Sequence, residues 1–142
     1  MLTHDNKAAY LRFVEEAFNE GRLDRLNEFV TPGFVAHDGP PGVPSGPAAV
    51  EQVITMFRSA FPDLHVTVDE MVAERDLVCV RTTLRGTQRG ALFGVPPTGR
   101  SVTMRTMEMV RMQDGRLAES WVCSDVTGLM SQLGVVPERA SP

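Results

Sequence analysis

Val102-Thr103-Met104-Arg105-Thr106-Met107-Glu108-Met109-Val110-Arg111-Met112, followed by Gln113-Asp114-Gly115-Arg116, alternates along its length and then turns back on itself. Side chains of a strand point to opposite faces with period two, so Val102, Met104, Thr106, Glu108, Val110 and Met112 share one face. Ser101, Thr103, Arg105, Met107, Met109 and Arg111 share the other, which carries the positive charges. Asp114-Gly115 is a hairpin signal and pairs this strand with Arg116 to Ser124. Glu108 stands on the apolar row. A carboxyl group there must be paired, be held neutral by a raised pKa, or line a cavity that uses it.

Working outward, Val66, Val68 and Met71 open the run of strands and Leu77 to Arg85 continues it. Helical periods precede the strands. Asp5 is placed to cap a first helix with Ala8, Leu11, Val14, Ala17 and Phe18 on its apolar face, ended by Asn19-Glu20-Gly21. A second, shorter helix spans Leu23 to Val30, and Phe34 to Asp38 is a short strand opening into the Gly39 to Gly46 loop. Pro47 fits the first turn of a third helix with Val50, Val53, Ile54 and Phe57 as its stripe, broken at Phe61-Pro62-Asp63. A closing helix runs from Val126 to Gly134 with Leu129, Met130 and Leu133 inward. Helices first and consecutive strands afterwards predict an α+β fold, with helices packed on one face of a curved antiparallel sheet. Residues 1–136 form one domain and 137–142 a frayed tail.

The chain has 142 residues, 42% of them hydrophobic and 23% charged, with a formal net charge of -4. That balance suits a globular domain and argues against nucleic acid or an anionic membrane as partner, since both require a concentrated basic face. No secretory pattern opens the chain and no apolar run approaches a membrane span, so a cytoplasmic location is expected. Cys79 and Cys123 lie in strand patterns without C-x-x-C spacing, which predicts neither a disulfide nor a zinc site.

The motifs Phe18-Asn19-Glu20-Gly21, Ser45-Gly46-Pro47, Phe61-Pro62-Asp63 and Gly86-Thr87-Gln88-Arg89-Gly90 occur in that order. After them come Gly94-Val95-Pro96-Pro97-Thr98-Gly99-Arg100, Asp114-Gly115-Arg116, Trp121, Asp125 and Gln132-Leu133-Gly134. Across about nine tenths of its length the chain thereby resembles the SnoaL-like polyketide cyclase family, within the nuclear transport factor 2-like superfamily. The resemblance implies a cystatin-like α+β barrel, a curved sheet wrapped by helices into a cone. It also implies a homodimer formed through the outer sheet face, a mostly apolar pocket for a planar or polycyclic ligand, and no metal or organic cofactor. In aldol-cyclising members an aspartate on the last long strand, helped by a histidine on the preceding strand, exchanges protons. Those two positions are Val122 and Glu108 here, and Gln88 stands where many members have histidine. By comparison with the steroid isomerases of the superfamily, the general base falls at His37 or Asp38 and the hydrogen-bond-donating acid at Glu108.

Each candidate also has a plain structural alternative. Glu108 is the acid, or the ion-pair partner of Arg81, Arg85 or Arg105. His37 is the base, with a pKa suited to neutral pH, or it orders the following loop. Asp38 contacts substrate or forms a turn; Gln88 orients a carbonyl or ends a strand. Asp125 contacts substrate or caps the last helix, and Tyr10 reaches the cone mouth or packs in the core. Trp121 and Val122 point to opposite faces, so a pocket-facing Val122 sends Trp121 outward to an interface unless a bulge intervenes. The resulting expectation is a cofactor-free cyclase or isomerase for a hydrophobic carbonyl compound of secondary metabolism. A polyketide hydroxylase and a non-catalytic binding domain are the alternatives.

Overall fold

The computed structural model describes residues 3–39 and 42–135; the tail expected at 137–142 lies outside them. Helix α1 (Thr3–Phe13) runs directly into a π-helical segment, Val14–Asn19, and a 3-10 helix covers Leu23–Glu28. Strand β1 (Val30–Ala36) and helix α2 (Pro47–Ala60) follow, then β2 (His65–Glu74), β3 (Leu77–Thr87), β4 (Ser101–Gln113), β5 (Arg116–Ser124) and helix α3 (Val126–Gln132). The α+β class is as expected. The five-stranded, unclosed sheet has the order β1-β5-β4-β3-β2. It departs from pure antiparallel pairing at one edge, where β1 joins β5 in parallel.

The alternation on β4 is realised: Val102, Met104, Val110 and Met112 are buried, while Arg105, Met107 and Met109 are exposed. Asp114 and Gly115 both have positive φ, 52° and 77°, the backbone of the tight turn whose twist matches a hairpin. On β5 an extra residue enters the ladder, because Met112 pairs with Leu117 and Arg111 with Glu119. Ala118 is the residue left over, a β-bulge. It lets Leu117 face the interior and still leaves Ser120, Val122 and Ser124 on that side, with Trp121 38% exposed. A second bulge lies on the edge strand β2 between Val68 and Glu70, where the Asp69 carboxylate accepts a hydrogen bond from Thr83 Oγ1 at 2.5 Å.

The first helix buries Val14 and Ala17 and packs Phe18 against the core as its spacing suggested, but not Ala8 or Leu11. Tyr10, Phe13, Val14 and Ala17 are inside, Ala8 is exposed, and Leu11 is 44% exposed. Aromatic surface outweighs leucine in the competition for the core: Phe13 lies 5.9 Å from Tyr10, 5.7 Å from Phe18 and 6.1 Å from Phe29 between ring centres. The chain then widens after Phe13, with Glu20 N–H donating to Glu15 O at 2.9 Å, a reach of five residues that periodicity at 3.6 does not foresee. Asp5 sits in the first turn of α1 rather than at its cap, where a negative charge still faces the positive end of the helix. The second helix is the short 3-10 segment, and Val30 belongs to β1 instead.

Side chains fasten the helices to the sheet. Asn19 donates to Val66 O at 3.0 Å and accepts from Val66 N at 2.7 Å, clasping the edge of β2. Gln132 does the same for Thr103 of β4, with both bonds at 2.8 Å, beyond the point where β5 has ended. At Gly86 a Cβ would lie 2.6 Å from Cβ of the fully buried Phe61, so only glycine lets the end of α2 press against β3. Among the described residues no helix is long and apolar enough to cross a membrane.

Candidate functional site

The concave face of the sheet, α1 and α2 enclose a cavity of about 370 Å³. Its floor comes from inward residues of β3, β4 and β5, and its opposite wall is apolar, with Val50, Val53, Met56 and Phe57 of α2. Glu108 projects from the middle of the floor, flanked in register by Val80 and Val122. Its carboxylate accepts a hydrogen bond from the hydroxyl of Tyr10, which α1 brings across the cavity. Burial among apolar walls pushes the Glu108 carboxyl up to about 7, and the Tyr10 hydrogen bond partly offsets that rise. The Tyr10 phenol is in turn raised well above its ordinary value by burial and by the neighbouring carboxylate. Among the described residues no lysine, arginine or histidine lines the cavity. Glu108 therefore has no counter-charge there, and the ion pair with Arg81, Arg85 or Arg105 is not formed; Arg81 instead meets Glu70 at 2.5 Å on the other face.

Such a carboxyl is half-ionised near neutrality and can both take and return a proton. Asp38 lines the opening and is committed to the backbone, its Oδ2 accepting from Val122 N at 2.6 Å, and Val122 packs beside Glu108 on the floor.

Four candidates are placed elsewhere. His37, expected as the base, is on the outer face: its ring stacks on Trp121 at 4.8 Å and its Nε2 lies 2.8 Å from Glu119. Adjacent residues leave a strand end on opposite sides, and Asp38 takes the inner one. Trp121 follows the outward row and lines no part of the cavity. Gln88 is fully buried beside the site and holds the following loop, donating to Val95 O at 3.2 Å and accepting from Thr98 N at 3.0 Å and Thr98 Oγ1 at 2.7 Å. Asp125 caps α3, accepting from Gly128 N at 2.9 Å.

The loop that Gln88 holds brings in a residue the sequence reading passed over. Leu92 and Val95 exchange backbone hydrogen bonds of 3.0 and 2.8 Å across Phe93-Gly94. Both turn residues have positive φ, 49° at Phe93 and 79° at Gly94. That backbone is costly for a bulky side chain. It presents Phe93 at the cavity, 50% exposed and edge-on to Phe57 at 6.3 Å. The hydroxyls of Thr82, Thr106, Ser120 and Ser124 also line the cavity; for Thr106, its place on the row of Glu108 was the available signal. Among the described residues no group of three or more histidines, cysteines or carboxylates is arranged to hold a metal ion.

The family model for SnoaL-like polyketide cyclases matches residues 8–133. The chain belongs to the SnoaL-like polyketide cyclase family. It is 29% identical over 124 residues to nogalonic acid methyl ester cyclase of Streptomyces nogalater, covering 83% of this chain and 90% of that protein. Among solved structures of the fold, TsrD from Streptomyces laurentii matches with a TM-score of 0.88 at 28% identity, over 96% of this chain and 99% of the other. IdmH from Streptomyces antibioticus matches with a TM-score of 0.78 at 36% identity, over 92% and 99%. Within this SnoaL-like frame, Glu108 and Tyr10 are the pair that the cavity brings together.

Proposed function

We propose that this protein is a cyclase or isomerase that moves protons on a hydrophobic, carbonyl-containing polyketide without a cofactor, with Glu108 as the proton-exchanging group. The observation that carries the reading is the Glu108 carboxyl, bonded to Tyr10 inside an apolar cavity and poised at about 7. The likeness to a protein named for methyl ester cyclisation supports the reaction class.

In this reading the ionised Glu108 takes a proton from the carbon next to a substrate carbonyl. The resulting enolate attacks a second carbonyl carbon of the same molecule, forming the carbon–carbon bond. The new alkoxide recovers the proton from Glu108, so the product is an isomer of the substrate and the enzyme ends as it began. Tyr10 holds the carboxylate in place through the cycle and keeps its pKa from rising further. Val122, where cyclising relatives resemble one another in carrying aspartate, leaves Glu108 to act alone in both directions. The same reading takes the chain to be a homodimer joined through the outer sheet face, supported by the register of exposed apolar side chains there, Val72, Met109 and Trp121.

The deciding experiment is turnover of a panel of polyketide methyl esters with and without oxygen, followed by mass spectrometry, with Glu108→Gln alongside. A product of unchanged mass, formed without oxygen and lost in the variant, is expected. A gain of one oxygen atom that needs air and a reductant would make the protein a hydroxylase and overturn the reading, and so would full activity of the variant.

A further inference from the structure

Besides Tyr10, four threonine and serine hydroxyls share the cavity with Glu108, and proton transfer by Glu108 uses none of them. Thr82, Thr106 and Ser124 stand opposite one another on β3, β4 and β5 and form one transverse row on the inner face of the sheet. Glu108 belongs to the next row along the strands, between Val80 and Val122. Two residues of antiparallel strand separate the rows, a distance of about 7 Å. On the far side of the hydroxyl row the floor becomes apolar at Leu84 and Met104.

These hydroxyls have unused hydrogen-bonding capacity. Thr82 is only 7% exposed, lines the cavity, and its side chain makes no hydrogen bond among the described residues. Thr106 Oγ1 and Ser124 Oγ lie 3.0 Å apart. One hydroxyl proton lies between those two oxygens, and the other is left to point elsewhere. A hydroxyl that opens on the cavity without a protein partner is free to donate to an occupant of the cavity. The wall opposite, on α2, offers only apolar side chains at Val50, Val53, Met56 and Phe57. With no cation lining the cavity among the described residues, the row presents neutral donors, which suit the oxygen of a ketone or quinone and not a carboxylate.

We propose that the Thr82-Thr106-Ser124 row is a second anchoring subsite, which binds a ring-carbonyl oxygen of the ligand about 7 Å from the atom that Glu108 addresses. The substrate is thus oxygenated at two points along one edge, and its apolar face lies against α2. The inference rests on the reading of this cavity as the substrate site, and it does not depend on which reaction Glu108 performs.

Calorimetric titration of the full chain with 2-hydroxyanthraquinone and 2-hydroxyanthracene tests it, since the two probes differ in the ring carbonyls. The wild type should prefer the quinone by about tenfold, the strength of one or two net hydrogen bonds. Thr106→Val combined with Ser124→Ala should cut the preference to about twofold or less while leaving 2-hydroxyanthracene binding unchanged. Thr82→Val, on a different strand, should reduce it on its own and answers the question where the double variant fails to fold. Thr106→Ser keeps a hydroxyl and should keep the preference. Glu108→Gln should also keep it, so failure of the catalytic reading and failure of the subsite are told apart. A wild type that binds neither probe or binds both equally would overturn the proposal, as would a preference that survives both Thr106→Val/Ser124→Ala and Thr82→Val.

Discussion

Replacing Glu108 with glutamine keeps the shape of the side chain and its hydrogen bond from Tyr10 while ending proton exchange. Turnover should fall by about 10²–10⁴-fold with ligand binding retained, as steady-state kinetics beside calorimetry would measure. In the wild type, kcat/KM should rise with pH through about 7, where the carboxyl ionises. Tyr10→Phe removes the bond that pulls the Glu108 pKa down, so the rising limb should move to higher pH. The same group links stability to pH. Between the ordinary carboxyl value of 4.5 and about 7 the folded chain keeps a proton that the unfolded chain has lost. Stability therefore falls as pH rises through that window, by about 3 kcal/mol at most, and levels off above it. Urea melts from pH 4 to 8 should show the slope in the wild type and a flatter line in Glu108→Gln. His37→Ala should leave turnover unchanged, because the imidazole is stacked on Trp121 outside the cavity. Glu108 was legible in the sequence because period two on a long strand is a strong local rule. Its bond to Tyr10 was not, since it joins residues 98 positions apart on elements whose relative placement no local pattern encodes.

The elements themselves were largely legible where hydrophobic period and turn chemistry agreed. Pro47–Ala60 and Arg116–Ser124 have the expected bounds, each set by a strong stop signal. The misses share a cause: π-helical widening after Phe13, the bulge at Ala118 and the parallel docking of β1 are all settled by tertiary packing. Gln88, which the sequence leaves as a carbonyl contact or a strand end, lines no part of the cavity and spends its side chain on Val95 and Thr98, a surrounding that no local pattern encodes. It is a strut for the loop from 91 to 100. Gln88→Leu should leave Thr98 N without its partner, while Val95 O keeps the bond from Leu92 N, and should cost about 1–3 kcal/mol, read as a lower Tm. The loop also holds a testable opposition between stability and binding. Phe93→Asn puts a residue that tolerates positive φ into the Phe93-Gly94 turn, so it should raise Tm while weakening ligand affinity through loss of the ring at the cavity.

Taken whole, the molecule has two faces with different tasks: the concave side encloses the cavity, and the convex side carries a band of apolar residues. Val72 pairs with Cys79, Cys79 with Met109 and Met109 with Trp121 straight across four strands. Sedimentation velocity should find a dimer, and Met109→Lys, which sets a charge in the middle of the band, should return it to monomer without loss of fold. A monomeric wild type would remove the dimer reading. The outermost strand has a different significance. β2 carries Asp69 and Glu70 at its bulge, and a kinked, acidic rim is a poor template for another chain's backbone. Straightening that rim, by deleting Asp69, would offer passing strands a regular ladder. Its consequence would be seen first in storage and crowding, as slow fibrous precipitation of an otherwise well-folded protein.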